Sequence, residues 1–142
     1  MNKISFIDEK IIKDGNFTWR EALTLREFDM MAFPTFEQYK NIIYIASVME
    51  KIRTILGSRP LTIHSWIRPK YYNEFIKGSW NSGHLYGMAV DFSHSVESAD
   101  SCRSKLLPHL EKLDIRMEDM PGSNWVHVDS KGPLNGKRFF KP

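Results

Sequence analysis

At 142 residues, with 42% hydrophobic and 26% charged positions, the chain has the size and composition of one globular domain that builds its core without staples. Its 20 basic and 17 acidic residues leave a formal charge of +3 spread along the chain, which offers only weak attraction to anionic polymers and excludes a polyelectrolyte character. The single cysteine, Cys102, excludes an internal disulfide, and no run reaches the ~20 apolar residues that a membrane span needs.

Residues 1–16 read as a loosely structured lead-in ending at Asp14-Gly15-Asn16. Its acids stand where a secretory signal needs an apolar run, so the chain is expected to be cytoplasmic as synthesised. Thr18 followed by Glu21 is a capping-box spacing and predicts a short helix beginning near Trp19. Thr35 and Gln38 repeat that signal after Pro34. Ile42, Ile45, Ala46, Met49, Ile52 and Leu56 then recur at spacings of three and four until Gly57, which predicts a long core-facing helix. Leu61 to Ser65 reads as a strand, Pro69 opens a short helix running to Lys77, and Ala89 to Phe92 reads as a second strand. Ser95 or Ser98 can cap a helix toward Lys112 that carries Cys102 inward and that Pro108 kinks or divides. Leu113–Asp119 and Trp125–Asp129 flank the turn-rich Met-Pro-Gly-Ser-Asn and predict a hairpin, and residues 130–142 are expected to be an irregular tail. Helices first and strands later predict an α+β domain over 1–142, with helices packed on one face of a small, mainly antiparallel sheet.

Within that frame, "NSGHLYGMAVDFSHS" places His84 in a glycine-punctuated loop seven residues before Asp91 on a short apolar strand. The pair alone is a weak motif. "NWVHVD" strengthens it: alternation puts Trp125, His127 and Asp129 on one strand face and Val126 and Val128 on the other. Burying such a polar face is costly unless something occupies it. Two imidazoles and a carboxylate form a common catalytic zinc set with a fourth position left for water, and Gly87 lets the loop turn back toward Asp91.

These residues resemble the S-x-H-x-x-G-x-A-x-D and W-x-H-x-D signature of the zinc D-Ala-D-Ala carboxypeptidases and dipeptidases and the phage L-Ala-D-Glu endopeptidases. That family shares a fold with the hedgehog amino-terminal domain, and the resemblance spans about residues 35 to 130. It implies that His84, Asp91 and His127 bind zinc. It also implies that Arg68, in "LTIHSWIRPKYYN", anchors or orients a substrate peptide, and that Ser82 supports the metal loop. Many members carry an acid as general base three residues before the last histidine ligand, where this chain has Asn124. An amide cannot take a proton from water. The strand pattern offers Glu118 as base, paired across from Trp125 on the His127 face, with Asp119 as the second choice.

Trp80 and Tyr86 flank the loop as cleft walls for a peptide or as core, and Asp129 suits a supporting or turn role. Trp125 is expected to support His127, His64 to pack near the cleft, and His94 and His109 to lie at the surface.

What the resemblance implies is a zinc peptidase. It would hydrolyse an amide bond in bacterial peptidoglycan stem peptides by attack of a metal-activated water, as a monomer released to the cell wall during phage lysis. The competing reading is a non-catalytic zinc-containing binding module, or a phage structural component of the same fold. Nucleic-acid binding would rest only on a pI near 9.0 without a basic stripe and is not expected.

Overall fold

Two capping boxes set where the first helices begin. In the computed structural model, which describes residues 6–142, Thr18 accepts from the Glu21 amide and Glu21 reaches back to Thr18, opening helix α1 (Trp19–Leu23). A short ribbon follows, β1 (Thr24–Leu25) against β2 (Met30–Met31). Thr35 and Gln38 repeat the reciprocal bonds at 3.1 and 2.8 Å and open helix α2 (Phe36–Ile55). The stripe read from the sequence is its buried face: Ile42, Ile45, Ala46, Met49 and Ile52 are all in the core.

Residues 1–5 of the lead-in lie outside the described residues. From Phe6 onward the segment is tied down: Lys10 bridges Thr18, and the Asn16 amide and side chain each donate to Glu50 of α2 at 2.6 Å.

After α2 come strand β3 (Leu61–Ser65), helix α3 (Lys70–Phe75) and strand β4 (Ala89–His94), the last two residues longer than expected. Ser98, not Ser95, caps α4 (Ala99–Leu106). Pro108 divides the helix as anticipated, with a 3-10 turn before α5 (Leu110–Leu113). Cys102 is fully buried on α4. Strands β5 (Arg116–Glu118) and β6 (Val126–Asp129) form the antiparallel hairpin. His94, expected at the surface, is half-buried, because its ring bonds the Leu56 carbonyl and accepts from the Val96 and Glu97 amides.

The tail departs from the irregular stretch expected for residues 130–142. Phe139–Phe140 form an edge strand, β7, running parallel to β5, with the Met117 amide bonded to the Arg138 carbonyl at 2.7 Å. The resulting sheet has the order β3-β4-β6-β5-β7 and is antiparallel except at that edge.

Alternation gives this sheet two faces. Val90, Phe92, Ile115, Met117, Val126 and Val128 are completely buried against α2 and α4. Each such side chain contributes about 1.5–3 kcal/mol of burial. Asp91, Arg116, Glu118, His127 and Asp129 alternate with them on the opposite face, so the apolar half of each strand pattern sets where the polar half must point.

Candidate metal centre

The polar face converges because of strand register. Asp91 on β4 stands directly across from His127 on β6, and Asp129 directly across from Arg116 on β5. His84 arrives from outside the sheet on a 3-10 turn, Gly83–Tyr86, whose start is capped by Ser82: its hydroxyl accepts from the His84 amide at 3.2 Å.

That turn is moored to the first turns of α2. Gln38 Nε2 donates to the Leu85 carbonyl and Asn41 Nδ2 to the Tyr86 carbonyl, both at 2.9 Å. Gly87 closes the turn at φ +73, and a Cβ there would meet the Gln38 carbonyl at 3.0 Å and Ile42 at 3.1 Å. Only glycine serves at this position.

His84, Asp91 and His127 are all buried, and one donor atom from each lies within 4.8 Å of the others. His84 Nδ1 donates to the Trp66 carbonyl at 2.7 Å, so Nε2 presents a lone pair. This Nε2 is buried, makes no hydrogen bond, and stands 3.2 Å from Asp91 Oδ2. Burial pushes the His84 ring below its ordinary pKa against the opposing pull of Asp91. Burial alone would raise the Asp91 carboxyl, but the surrounding His84 and His127 rings outweigh it and hold the group ionised, well below the usual carboxylate range.

An unbonded buried ring nitrogen thus stands beside a carboxylate, an arrangement that could hold a cation between the two. A four-coordinate shell with bonds of about 2 Å has ligand–ligand edges of about 3.3 Å, close to the observed spacing. The nitrogen and oxygen donors fit a divalent ion of the zinc kind.

His127 completes the set. Its Nδ1 lies 2.7 Å from Asp91 Oδ1 and its Nε2 3.0 Å from Asp129 Oδ2. Burial would lower its pKa, yet the bonds to Asp129 and Asp91 push it up to about 10.

Two hollows flank the cluster. One, of about 290 Å³, is lined by Ser82, Gly83, Glu118, His127 and Asp129 together with the tail residues Lys131 and Phe140. The other, of about 220 Å³, is lined by Asp91, Arg68, His64, Arg26 and Trp125. Arg68 donates from Nη2 to Asp91 Oδ2 and from Nε to the Ser65 hydroxyl, each at 2.9 Å, which aims its guanidinium along the second hollow. His64 also borders it, bonded to Ser93 at 2.7 Å and to Arg26 at 3.1 Å.

Glu118 stands on the wall of the first hollow, half-buried and without a protein hydrogen-bond partner among the described residues. Its register differs from expectation. With Arg116 across from Asp129 and Met117 from Val128, the strand continues with Glu118 opposite His127, not Trp125. A slip of two residues preserves the face, so the carboxylate still looks onto the cluster. Burial raises its pKa above the ordinary value against the pull of the His127 ring, and the charges of Asp91 and Asp129 add to the rise.

Other expected residues fall elsewhere. Asp119, just past the end of β5, borders a separate hollow beside Lys137 and Phe139 and lines neither hollow at the cluster. Trp80 and Tyr86 project into solvent and line neither flanking hollow. The Ser79–Ser82 turn, closed by an Asn81 side-chain bond, directs Asn81 and Ser82 inward instead. Asn124 is exposed on the turn between β5 and β6.

Residues 20–129 match the family model for Peptidase M15, and the chain belongs to this family of metallopeptidases. No curated protein sequence matches the chain. No helix among the described residues is long and apolar enough to cross a membrane.

Proposed function

We propose that the chain is a zinc-dependent peptidase that hydrolyses an amide bond in bacterial peptidoglycan stem peptides, of the D,D-carboxypeptidase or L-Ala-D-Glu endopeptidase type. The observation that carries the metal is the orphaned His84 Nε2 held against the ionised Asp91 carboxylate, with His127 closing the set. The stem-peptide substrate is supported by the signature around Ser82, His84, Asp91 and His127.

His84, Asp91 and His127 would hold the zinc, which supplies Lewis-acid activation of water and of the scissile carbonyl when bound. Glu118 takes the proton from the attacking water and returns it to the leaving amine. Its raised pKa brings it closer to a working base than an ordinary surface carboxylate, and its lack of other partners leaves it free for the exchange. Arg68, already braced by Ser65, orients a substrate carboxylate or carbonyl along the second hollow with its fork of donors. Ser82 holds the loop in place and lines the opposite side of the cleft. Wall targeting would draw on the +3 charge or on a partner, and release to the wall during phage lysis is part of this reading.

Asn124, at the position where an acid was expected, favours a second reading: a zinc-holding module that cuts nothing. The metal content of the purified chain and of His84→Ala, followed by muropeptide digestion, separates the two. One zinc lost in the variant together with a shortened stem peptide supports the peptidase. Zinc with an intact peptide supports the module, and absence of zinc removes both.

A further inference from the structure

Asp129 has no free acceptor site left. Oδ1 accepts from Arg116 Nε at 2.9 Å and from the Lys131 amide at 3.0 Å, while Oδ2 accepts from Arg116 Nη2 at 2.9 Å and from His127 Nε2 at 3.0 Å. A carboxylate bound at every lone pair has one orientation. Asp129 and Asp91 offer only acceptors, so in the metal-free chain each His127 nitrogen faces a carboxylate with a proton. Asp129 holds the one on Nε2, which leaves Nδ1, toward Asp91 and His84, as the nitrogen that a metal would take.

Arg116 is fixed in turn. Its fork is bidentate on Asp129, and its Cζ lies 4.1 Å from the centre of the Phe140 ring on β7. That ring shields a buried guanidinium from water, which would otherwise compete for its donors. Phe140 lies beyond the residues that the family model matches.

We propose that Arg116 and Phe140 are positioning residues for the metal centre, forming with Asp129 a chain that fixes the ring orientation and tautomer of the ligand His127. This inference rests on His127 being a metal ligand. Neither residue touches the cluster. Each acts through the next: ring on guanidinium, guanidinium on carboxylate, carboxylate on imidazole. Partners behind a ligating histidine commonly govern metal affinity by about 10- to 100-fold.

The test is competitive zinc titration of the metal-free full chain against a chromogenic chelator. It is read beside nitrogen NMR of the histidine rings and a thermal melt to confirm folding. Arg116→Lys removes the fork but keeps the charge, Phe140→Leu removes the ring but keeps an apolar cover, and Phe140→Tyr keeps the ring. The expected result is zinc affinity weakened about tenfold or more by Arg116→Lys and Phe140→Leu, with a mixed His127 tautomer, and near wild type for Phe140→Tyr. The double variant Arg116→Lys/Phe140→Leu should lose less than the product of the single losses, since both act on one chain.

Folded variants that bind zinc as wild type does would overturn the proposal. So would equal losses in Phe140→Leu and Phe140→Tyr. Should Arg116→Lys fail to fold, the two half-buried Phe140 variants decide alone. Unchanged zinc affinity in His84→Ala would instead sink the metal-site reading beneath the proposal. If His84→Ala loses zinc while every Arg116 and Phe140 variant retains it, only the positioning chain is refuted.

Discussion

His84 Nε2 and Asp91 Oδ2 stand 3.2 Å apart with the histidine proton committed to the Trp66 carbonyl on the far side of the ring. Neither partner can donate to the other, and both are buried. A cation held between them would turn this unbonded contact into two ligand bonds.

Metal removal should therefore cost stability. Addition of zinc to the stripped chain should raise its melting temperature progressively with free zinc, following the mass-action term of about 2.7 kcal/mol at 100 times Kd. His84→Ala should abolish that response. Differential scanning calorimetry across a zinc series checks both.

Glu118→Gln should separate activity from stability. Removing a general base typically lowers turnover by about 10²- to 10⁴-fold. The folded state raises the Glu118 pKa above its unfolded value, so ionisation opposes folding once the pH exceeds 4.5, and at neutral pH the neutral amide should melt higher than wild type. In the pH profile of kcat/KM, the acid limb should lie above 4.5, and it should shift or disappear in the variant.

The stripped chain should lose stability in alkali. His127 has a folded pKa of about 10 against 6.5 unfolded, so the stability from its bonds to Asp129 and Asp91 is complete below pH 6.5 and is lost as the pH rises toward 10. Zinc affinity should run the opposite way, strengthening across the same window as the proton that the metal must displace is given up. Melts of stripped and loaded protein over that range test the opposed slopes.

Gly87→Ala should damage both fold and site. The residue sits at φ +73, and an alanine methyl there would lie 3.0 Å from the Gln38 carbonyl, so strain of about 1–3 kcal/mol is expected. Because the same turn carries His84, zinc affinity should fall with stability. Urea denaturation together with metal titration measures both.

Much of this arrangement was legible in the sequence, for local physical reasons. The three-and-four spacing from Ile42 to Ile52 marked α2, the capping pairs Thr18–Glu21 and Thr35–Gln38 marked the starts of α1 and α2, and alternation around His127 separated core from site. What escaped depended on pairing between distant segments. Nothing local in Phe139-Phe140 announces a parallel edge strand, and the register of β5 against β6 is set by packing across the sheet. Alternation puts Arg116 on the same face as Glu118, but only the fold brings Asp129, 13 positions away, within bonding distance. The outward turn of Trp80 likewise follows from loop bonds that its own sequence does not reveal.

The most direct test of a metal-dependent peptidase with Glu118 as its base is digestion of peptidoglycan stem peptides, with the products identified by mass spectrometry. Three samples are needed: zinc-loaded wild type, stripped wild type and zinc-loaded Glu118→Gln. Cleavage of one defined amide bond by the first sample, and a loss of at least about 10²-fold in the other two, is the expected result. Cleavage that survives metal removal or the Glu118 substitution, or peptides left intact by the zinc-loaded chain, would contradict the account.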